Sequence, residues 1–333
     1  MSSIKLILLG ASAFGIAGCS TNTASTGGAG GPETISPSEA ALQIFSDEDG
    51  DLGTAMTAGE TVTARSVSVV GANLDYNTGD TSLANDTTVA VRRNANGELE
   101  FTLNGVLHEF TAADRVDCGG ASDCGYQVED GVNGIYYGLY NASGDLDEIQ
   151  TAGNGWSAVV DFNSNQINAG GQPNRDGFAV IGTETQDAAL AGLASATYSG
   201  RTRMNALPTT GFAGYNASRT RVRSDLTMTA DFGAGEISGT MDNFTIQDPG
   251  EAETAVAGSI AMNAADFTQN AYSGTLSADA AWTAAGNPTL ATGSYSGAFY
   301  GPDADVVSGV LSATGSDDGD GFIAYGYFEG NKD

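Results

Sequence analysis

The chain reads Tyr198-Ser199-Gly200, Ile237-Ser238-Gly239, Tyr272-Ser273-Gly274, Tyr295-Ser296-Gly297 and Val307-Ser308-Gly309, five triplets that each place a bulky apolar residue two positions before a glycine. In a β-strand successive side chains alternate between faces, so the apolar residue and the glycine share one face and the serine lies on the other. A glycine on a packed face weakens a flat strand, but it gives room where a sheet coils tightly or closes on itself. The triplets therefore predict a small antiparallel β-barrel over residues 197–328.

The sequence around these triplets alternates with a period of two. From Arg219 to Phe232 the even positions are mostly apolar and the odd positions are polar or charged, which predicts one long strand. The alternation that begins at Tyr272 extends to Trp282 and predicts a strand there as well. Turn-forming residues separate the runs, and the last run is at residues 322–328. Counting the runs gives seven or eight strands, and because closure removes exposed sheet edges, we predict that they close into a barrel.

The first half of the chain also carries strand patterns. We predict strands in residues 61–70, 135–140, 156–162 and 178–181. Residues 87–110 predict a meander, in which Asn96-Gly97 and Asn104-Gly105 form two-residue hairpin turns. A polar loop is expected at residues 163–176, as a functional loop or as a solvated connection. Short helices are expected at residues 36–45 and 186–194.

The N-terminal segment has the pattern of a lipoprotein signal peptide. Lys5 supplies the positive charge and residues 6–17 supply a short apolar run, too short to span a bilayer as a helix. Small residues precede Cys19, as in the motif cleaved before a cysteine that is then acylated. We therefore predict a signal peptide at residues 1–18, acylated Cys19 as the membrane anchor, and a flexible tether at residues 19–36.

The serine at position 20 bears on the destination of the protein. In enterobacterial lipoproteins an aspartate at this position usually retains the protein in the inner membrane. Because Ser20 stands here, we expect delivery to the outer membrane, on either the cell-surface or the periplasmic face.

Four segments of the second half resemble a known family. They are residues 196–200, 226–233, 237–240 and 297–302, and they are similar to the barrel domain of transferrin-binding protein B-like surface lipoproteins. The resemblance implies a mainly β chain, with an N-terminal antiparallel β handle-like domain (residues 37–185) followed by an eight-stranded antiparallel β-barrel (residues 186–333). It also implies a lipid-anchored protein that captures an iron- or haem-carrying ligand. Transferrin binders are similar to two such units in tandem, whereas this chain has one.

The three cysteines leave an even pair once Cys19 is acylated. Cys118 and Cys124 flank a small loop of Gly, Ala, Ser and Asp residues. In an oxidising compartment this spacing predicts a disulfide. A metal site is the alternative, but it would need two further ligands that the neighbouring sequence does not offer.

The charge of the chain excludes some partners. With 41 acidic residues against 12 basic ones, the formal net charge is −29. Nucleic acids and anionic lipid headgroups are therefore poor partners. The acidic runs at residues 47–51 and 317–320 lack the spacing of a calcium-binding EF-hand loop and are interpreted as surface turns.

Half of the ten arginines lie within residues 201–223. They are Arg201, Arg203, Arg219, Arg221 and Arg223. By strand alternation all five should lie on the outside of the first two barrel strands, where pairing of the strands would align them in a ladder. Like charges side by side need counter-charges, which could be Asp225, Asp231 or acids of the handle-like domain, or else an acidic partner or the propionates of a haem. The ladder is our candidate docking surface.

Candidate contacts to iron or haem are fewer. His108, the only histidine, and the three tyrosines Tyr136, Tyr137 and Tyr140 have side chains that can ligate haem iron. The alternative for His108 is an ordinary strand residue without a ligand.

The residues support a binding protein rather than an enzyme. No nucleophile elbow, phosphate loop or His/Cys metal cluster occurs in the sequence. We therefore predict an outer-membrane lipoprotein that binds haem, or a protein carrying iron or haem, and hands it to an uptake receptor. The alternative is a structural or adhesive surface lipoprotein without small-molecule cargo.

Overall fold

The computed structural model describes residues 61–71, 81–84, 87–93, 99–117, 123–130, 135–141, 156–165, 174–182, 184–209 and 219–333. Some predicted features lie outside these residues. They are the signal peptide, the tether with Cys19, the first helix, the Asn96-Gly97 turn, the acidic run at residues 47–51, and Cys118. The disulfide of Cys118 with Cys124 therefore stays a prediction.

Within the described residues, the N-terminal sheet is antiparallel and holds ten strands. They are β1 (Thr61–Gly71), β2 (Thr81–Ala84), β3 (Val89–Arg93), β4 (Leu99–Leu103), β5 (Val106–Phe110), β6 (Arg115–Asp117), β7 (Asp123–Asp130), β8 (Ile135–Asn141), β9 (Ser157–Asn165) and β10 (Asn174–Gly182). The spatial order is β5-β4-β3-β1-β10-β9-β8-β7-β6, with β2 paired to β1. A 3-10 helix (Ala112–Asp114) connects β5 to β6.

The meander of β3, β4 and β5 agrees with its sequence pattern. Phe101 and Leu103 of β4 are buried, as expected for the packed face. Asn104 and Gly105 have φ angles of 49° and 79°, the left-handed conformation that a tight hairpin turn requires and that Asn-Gly adopts readily. Local turn chemistry therefore sets the register of this hairpin.

The predicted polar loop at residues 163–176 is wrong at both of its ends. Strands β9 and β10 continue into it, and Arg175 pairs with Ser164 in their register. Arg175 and Asp176 are buried because each has a polar partner from elsewhere in the chain. Arg175 Nη1 donates to Thr87 Oγ1 at 3.0 Å, and the Tyr325 hydroxyl donates to Asp176 Oδ1. Polar residues that are buried in this way give no apolar pattern in the sequence.

The C-terminal half forms the predicted closed barrel. Its strands are β11 (Ala196–Pro208), β12 (Thr220–Asp231), β13 (Glu236–Gln247), β14 (Thr254–Val256), β15 (Ile260–Thr268), β16 (Ala271–Ala278), β17 (Thr289–Tyr300), β18 (Val306–Asp317) and β19 (Asp320–Lys332). Pairing of β11 with both β12 and β19, and of β12 with β13, closes the sheet, while the short β14 pairs only with β13. Eight antiparallel strands therefore form the barrel, and the predicted fold class is confirmed.

Aromatic side chains fill the inside of the barrel. The ring of Phe299 lies at the centre, with centroids 5.0 Å from Phe232, 5.2 Å from Phe267, 5.4 Å from Tyr272 and 6.1 Å from Tyr198. All but Phe267 are buried. The interior is thus a packed aromatic core rather than an open lumen.

The glycines of the triplets make room for these rings. In the register of β16 and β17, Tyr272 lies opposite Gly297, and Gly274 lies opposite Tyr295. A Cβ on Gly274 would lie 2.6 Å from atoms of the Tyr295 ring. The Tyr295 hydroxyl then donates to the Asn263 carbonyl oxygen at 2.5 Å, across an irregularity of β15. The triplets that begin at Tyr272 and Tyr295 therefore each supply one ring and the space for the ring of the other.

Trp282 corrects the prediction of a strand that extends to residue 282. After β16 the chain forms a helix, α2 (Ala280–Ala284). The other helix, α1 (Asp187–Leu190), lies before β11 and is shorter than the helix predicted at residues 186–194. Asp279 caps α2 by accepting a hydrogen bond from the Trp282 amide at 2.6 Å. Trp282 is buried against Phe244, with centroids 4.9 Å apart. A cap residue and one apolar anchor explain the helix, because an Asp N-cap stabilises a helix start.

Asn270 ties the turn between β15 and β16 to β17, and its removal should be costly. Its Nδ2 donates to the Phe299 carbonyl at 2.7 Å and its Oδ1 accepts from the Phe299 amide at 2.9 Å. We expect Asn270→Ala to lower the free energy of unfolding by about 2 kcal/mol, because the buried Phe299 amide loses its partner. Asn287→Ala, which removes one exposed bond to the Ala257 carbonyl, is the matched control. Urea denaturation that gave equal losses for both variants would contradict this role of Asn270.

A second apolar core joins the two sheets. Trp156, Val159, Phe178 and Val180 of the N-terminal part pack against residues of the barrel wall. The wall residues are Leu207, Ala298, Tyr300, Val306, Val310, Ile323, Tyr325 and Tyr327. Because of this handle–barrel core, β18 and β19 are buried on both faces over much of their length.

Candidate functional site

Four of the five clustered arginines lie on the outer side of β11 and β12, and Arg219 directly precedes β12. Their strands pair, with Arg203 directly opposite Arg223. The residues between them, among them Met204, Val222 and Leu226, belong to the barrel interior. Arg223 is exposed, whereas the other four are partly covered. The ladder expected from the sequence is therefore present, and four of its five side chains are partly covered.

Two of the arginines form ion pairs with glutamates that sequence reasoning did not single out. Arg201 Nε contacts Glu329 Oε1 at 2.9 Å, because the two residues are direct neighbours on β11 and β19. Arg223 pairs with Glu253. Asp225, one of the predicted counter-charges, accepts a hydrogen bond from Asn243 Nδ2 at 2.8 Å.

The other three arginines act electrostatically on an acid of the N-terminal sheet. Asp161 of β9 lies opposite Phe178 in the register, and the ring of Phe178 lies 5.4 Å from that of Tyr327. Tyr327 in turn is the register partner of Arg203. We call Asp161, Arg203, Arg219 and Arg221 the junction cluster, because the guanidinium groups of all three arginines act electrostatically on Asp161.

Burial dominates the ionisation of the junction cluster. It raises the pKa of Asp161 from 3.8 to about 6, although the three arginines act to lower it. Burial also raises the pKa of the Tyr327 hydroxyl to about 12, and Arg203 donates a hydrogen bond to this hydroxyl. Burial therefore outweighs the three guanidinium groups in setting the pKa of the Asp161 carboxyl group.

The raised pKa of Asp161 predicts a distinct pH dependence of stability. The folded chain holds this proton more tightly than the unfolded chain, so the contribution of Asp161 is fully present below pH 3.8 and falls as the pH rises through about 6. Asp161→Asn, which does not titrate, should lose this fall, so the stability of the variant relative to the unchanged protein should increase between those two pH values. Urea denaturation across this range measures the difference, and parallel pH profiles would contradict it.

The candidate iron or haem contacts lie in the N-terminal sheet. His108 is on β5 opposite Phe101, and the three tyrosines are on β8. In the strand order five strands separate β5 from β8, so strand pairing does not bring His108 next to the tyrosines. Tyr140 is the register partner of Asp161, which places its backbone beside the junction cluster. Tyr136 and Tyr137 pair with Asn165 and Ser164.

Sequence reasoning missed Asp161, Tyr327 and Glu329 as members of this region. Each lies more than 40 residues along the chain from at least one of the arginines that it faces. Only the pairing of β11 with β19 and the packing of β9 on the barrel bring them together. The sequence predicted only in general that acidic residues of the handle-like domain would counter the charge of the arginines, and it did not indicate which residues these are.

Two further observations concern the described residues. Among them, no helix combines the length and the apolar character needed to cross a bilayer. Nor do they bring together three or more His, Cys, Asp or Glu side chains in an arrangement that could hold a metal ion.

Comparisons with known proteins concern mainly the barrel. Residues 191–327 match the family model described as the C-lobe and N-lobe beta barrels of Tf-binding protein B. No curated protein matches the sequence.

Solved structures of transferrin-binding protein B are also similar. One is isotype 1 from serogroup B Neisseria meningitidis, with 14% identity, a TM-score of 0.40, and coverage of 82% of this chain and 44% of that chain. This chain thus spans less than half of the length of that protein. Another is a double mutant from Haemophilus parasuis Hp5, with 12% identity, a TM-score of 0.37, and coverage of 82% and 76%.

The match over residues 191–327 coincides with most of the closed eight-stranded barrel of this chain. The C-terminal barrel of this chain is therefore similar to the barrels of transferrin-binding protein B.

Proposed function

We propose that this protein is a lipid-anchored outer-membrane protein that binds an iron- or haem-carrying ligand, or haem itself, and hands it to an uptake receptor. The observation that carries the proposal is the match of residues 191–327 to the barrels of transferrin-binding protein B. The lipoprotein signal pattern that ends at Cys19 supports the anchor. A capture experiment with several iron carriers, transferrin among them, identifies the ligand.

The packing of the barrel bears on where a ligand would bind. Aromatic rings around Phe299 occupy the interior, so the barrel has no room there for a haem. A ligand would instead contact the outer surface. The arginine ladder and the adjacent strand β8, which carries Tyr136, Tyr137 and Tyr140, are the surface we propose for it.

The test uses the soluble form that begins at Ser20. It would be titrated with haemin while the Soret band is followed, and it would be immobilised to capture iron-carrying proteins, including transferrin and haemoglobin. We expect either a Soret shift or retention of one carrier. His108→Ala and Tyr140→Phe, compared with the unchanged protein, would then test the candidate haem contacts.

The outcome separates this function from the alternative. Absence of a Soret change together with absence of any retained carrier would remove the iron function and favour a structural or adhesive lipoprotein. Unchanged growth of a deletion strain under iron limitation would point the same way. Slower growth of that strain would support uptake.

A further inference from the structure

We propose that β5, the strand at one end of the N-terminal sheet, binds an extended basic segment of a partner protein, which joins the sheet as an additional antiparallel strand. The segment places a lysine or arginine opposite Glu109 and an apolar side chain opposite Leu107. The proposal goes beyond the proposed function and does not depend on it, because it requires no iron- or haem-carrying ligand.

Strand β5 lies at the edge of its sheet. It stands at one end of the strand order, and within the described residues it pairs only with β4. This pairing runs from Val106 to Phe110 without a shift of register. Proteins commonly protect an edge strand with proline, lysine or a bulge, whereas the described strand β5 contains none of the three. The edge therefore keeps the regular backbone that the addition of a strand requires.

The hydrogen bonds of the neighbouring strand determine which backbone groups of β5 point outward. The Asn104 amide donates to the Thr88 carbonyl oxygen at 2.9 Å, so Asn104 is bonded toward β3. Backbone groups alternate between the two sides of a strand, so the residue before Asn104 is bonded toward β5, where its register partner is Val106. By the same alternation, the N–H and C=O groups of Leu107 and Glu109 point away from the sheet.

These outward groups are accessible. Leu107 is 50% exposed and Glu109 is also exposed. Among the described residues, no group outside β4 forms a hydrogen bond or an ion pair with either of them. Beyond Glu109 the open edge ends, because the Thr111 amide and hydroxyl both donate to Asp114 Oδ2 at 2.7 Å. Leu107 and Glu109 thus each offer one N–H and one C=O group to an added strand.

The side chains at this edge indicate the chemistry of the partner. Leu107 and Glu109 are two positions apart and share one face of the strand. In an antiparallel partner, the residue opposite Glu109 comes two positions before the residue opposite Leu107. A basic residue followed two positions later by an apolar residue would therefore match both side chains. The net charge of −29 also attracts a basic segment.

A second copy of this chain fits the edge less well. Strand β5 contains no lysine or arginine, so Glu109 would meet neither of these residues if two β5 strands paired. Two chains that each carry a net charge of −29 also repel each other. We therefore assign the edge to a basic partner.

Fluorescence anisotropy with two labelled peptides tests the proposal in about 150 mM salt, where long-range charge attraction is screened. The probe has the sequence Arg-Thr-Lys-Val-Leu-Thr-Arg, with its lysine two positions before its leucine. The matched control peptide exchanges the lysine and the leucine, and it keeps the composition and the charge. We expect the probe to bind about threefold more tightly than the control peptide, as for one favourable cross-strand pair.

Variants of the edge give the larger effects. Leu107→Pro should weaken binding of the probe at least about tenfold, because proline removes an outward N–H group while the hydrogen bonds to β4 remain. Glu109→Gln should weaken it about threefold. Glu236→Gln removes an exposed glutamate of the barrel strand β13, so it is the matched control for net charge and should leave binding within about 1.5-fold.

Each variant is first checked for unchanged unfolding by urea. Leu107→Lys replaces Leu107→Pro if the latter does not fold, and it should weaken binding of the basic probe by repulsion. Equal binding of the two peptides, or equal effects of Glu109→Gln and Glu236→Gln, would show attraction by charge alone and would overturn the proposal. A dimer of the unchanged protein in analytical ultracentrifugation that Leu107→Lys abolishes would also overturn it, because a second copy would then occupy the edge.

The failure of this site and the failure of the proposed function can be told apart. Binding of the probe with the expected variant effects, but without capture of haemin or an iron carrier, would support the strand addition and remove the iron function. Capture of a carrier without binding of the probe would do the reverse.

Discussion

Gly297→Ala should lower the free energy of unfolding by about 3 kcal/mol, because the added methyl group has no room. Its Cβ would lie 2.6 Å from the Tyr272 hydroxyl and 2.7 Å from the backbone carbonyl oxygen of Ser308. The first contact is with a ring held in the aromatic core, and the second is with the neighbouring strand, so neither can yield cheaply. Urea denaturation followed by tyrosine and tryptophan fluorescence measures the loss.

Gly192→Ala is the matched control for this prediction. A Cβ on Gly192 would have its nearest neighbour, the Ala189 carbonyl oxygen, at 3.8 Å, an ordinary contact. We expect its effect on the free energy of unfolding to stay within about 0.5 kcal/mol.

A second test combines Gly274→Ala with Tyr295→Leu. Since the Tyr295 ring fills the space above Gly274, the double variant should lose less free energy of unfolding than the sum of the two single losses. Additive losses, or a harmless Gly297→Ala, would show that the triplets do not act as we describe.

Phe178→Ala should lower the free energy of unfolding by about 4 kcal/mol, since it empties the centre of the handle–barrel core. The Phe178 ring is 1% exposed and lies 5.9 Å from the Tyr325 ring and 5.4 Å from the Tyr327 ring. We also expect faster amide hydrogen exchange in β19, because that strand loses cover on its outer face.

Leu107→Ala is the control for Phe178→Ala, because Leu107 of β5 is 50% exposed and its removal should change stability by less than about 0.5 kcal/mol. Unchanged exchange in β19, together with a loss for Phe178→Ala no larger than that for Leu107→Ala, would mean that the two sheets do not stabilise each other.

The fold could be predicted where local pattern and tertiary packing agree. The alternation between Arg219 and Phe232 appears unchanged as the buried and exposed positions of β12, because one face of that strand packs inside the barrel. The Asn104-Gly105 turn was predictable since its backbone angles depend on those two residues alone.

The misses have a different physical origin. Trp282 continues an apolar alternation in the sequence, yet the cap at Asp279 starts a helix there. Arg175 and Asp176 resemble loop residues, yet partners from distant segments allow both to be buried in a strand. In each case a specific hydrogen bond outweighed the local pattern.

The candidate site could be predicted only in part for the same reason. The five arginines stand out in the sequence because basic residues are scarce, and alternation places them on one side of two strands. Their partners Asp161, Glu253 and Glu329 do not stand out among 41 acidic residues. Which acid meets which arginine depends on strand order and on the contact between the two sheets.

The shared burial of β18 and β19 has a consequence for how this protein can change over time. Tyr300, Tyr325 and Tyr327 belong to the barrel wall, but their outer environment is supplied by Trp156, Phe178 and Val180. Recombination that exchanged one half of the chain for a distant variant would leave bulky rings facing an unmatched surface. The two halves should therefore be inherited together. Variation should be concentrated in exposed connections, and changes on one side of the handle–barrel core should be matched by changes on the other side.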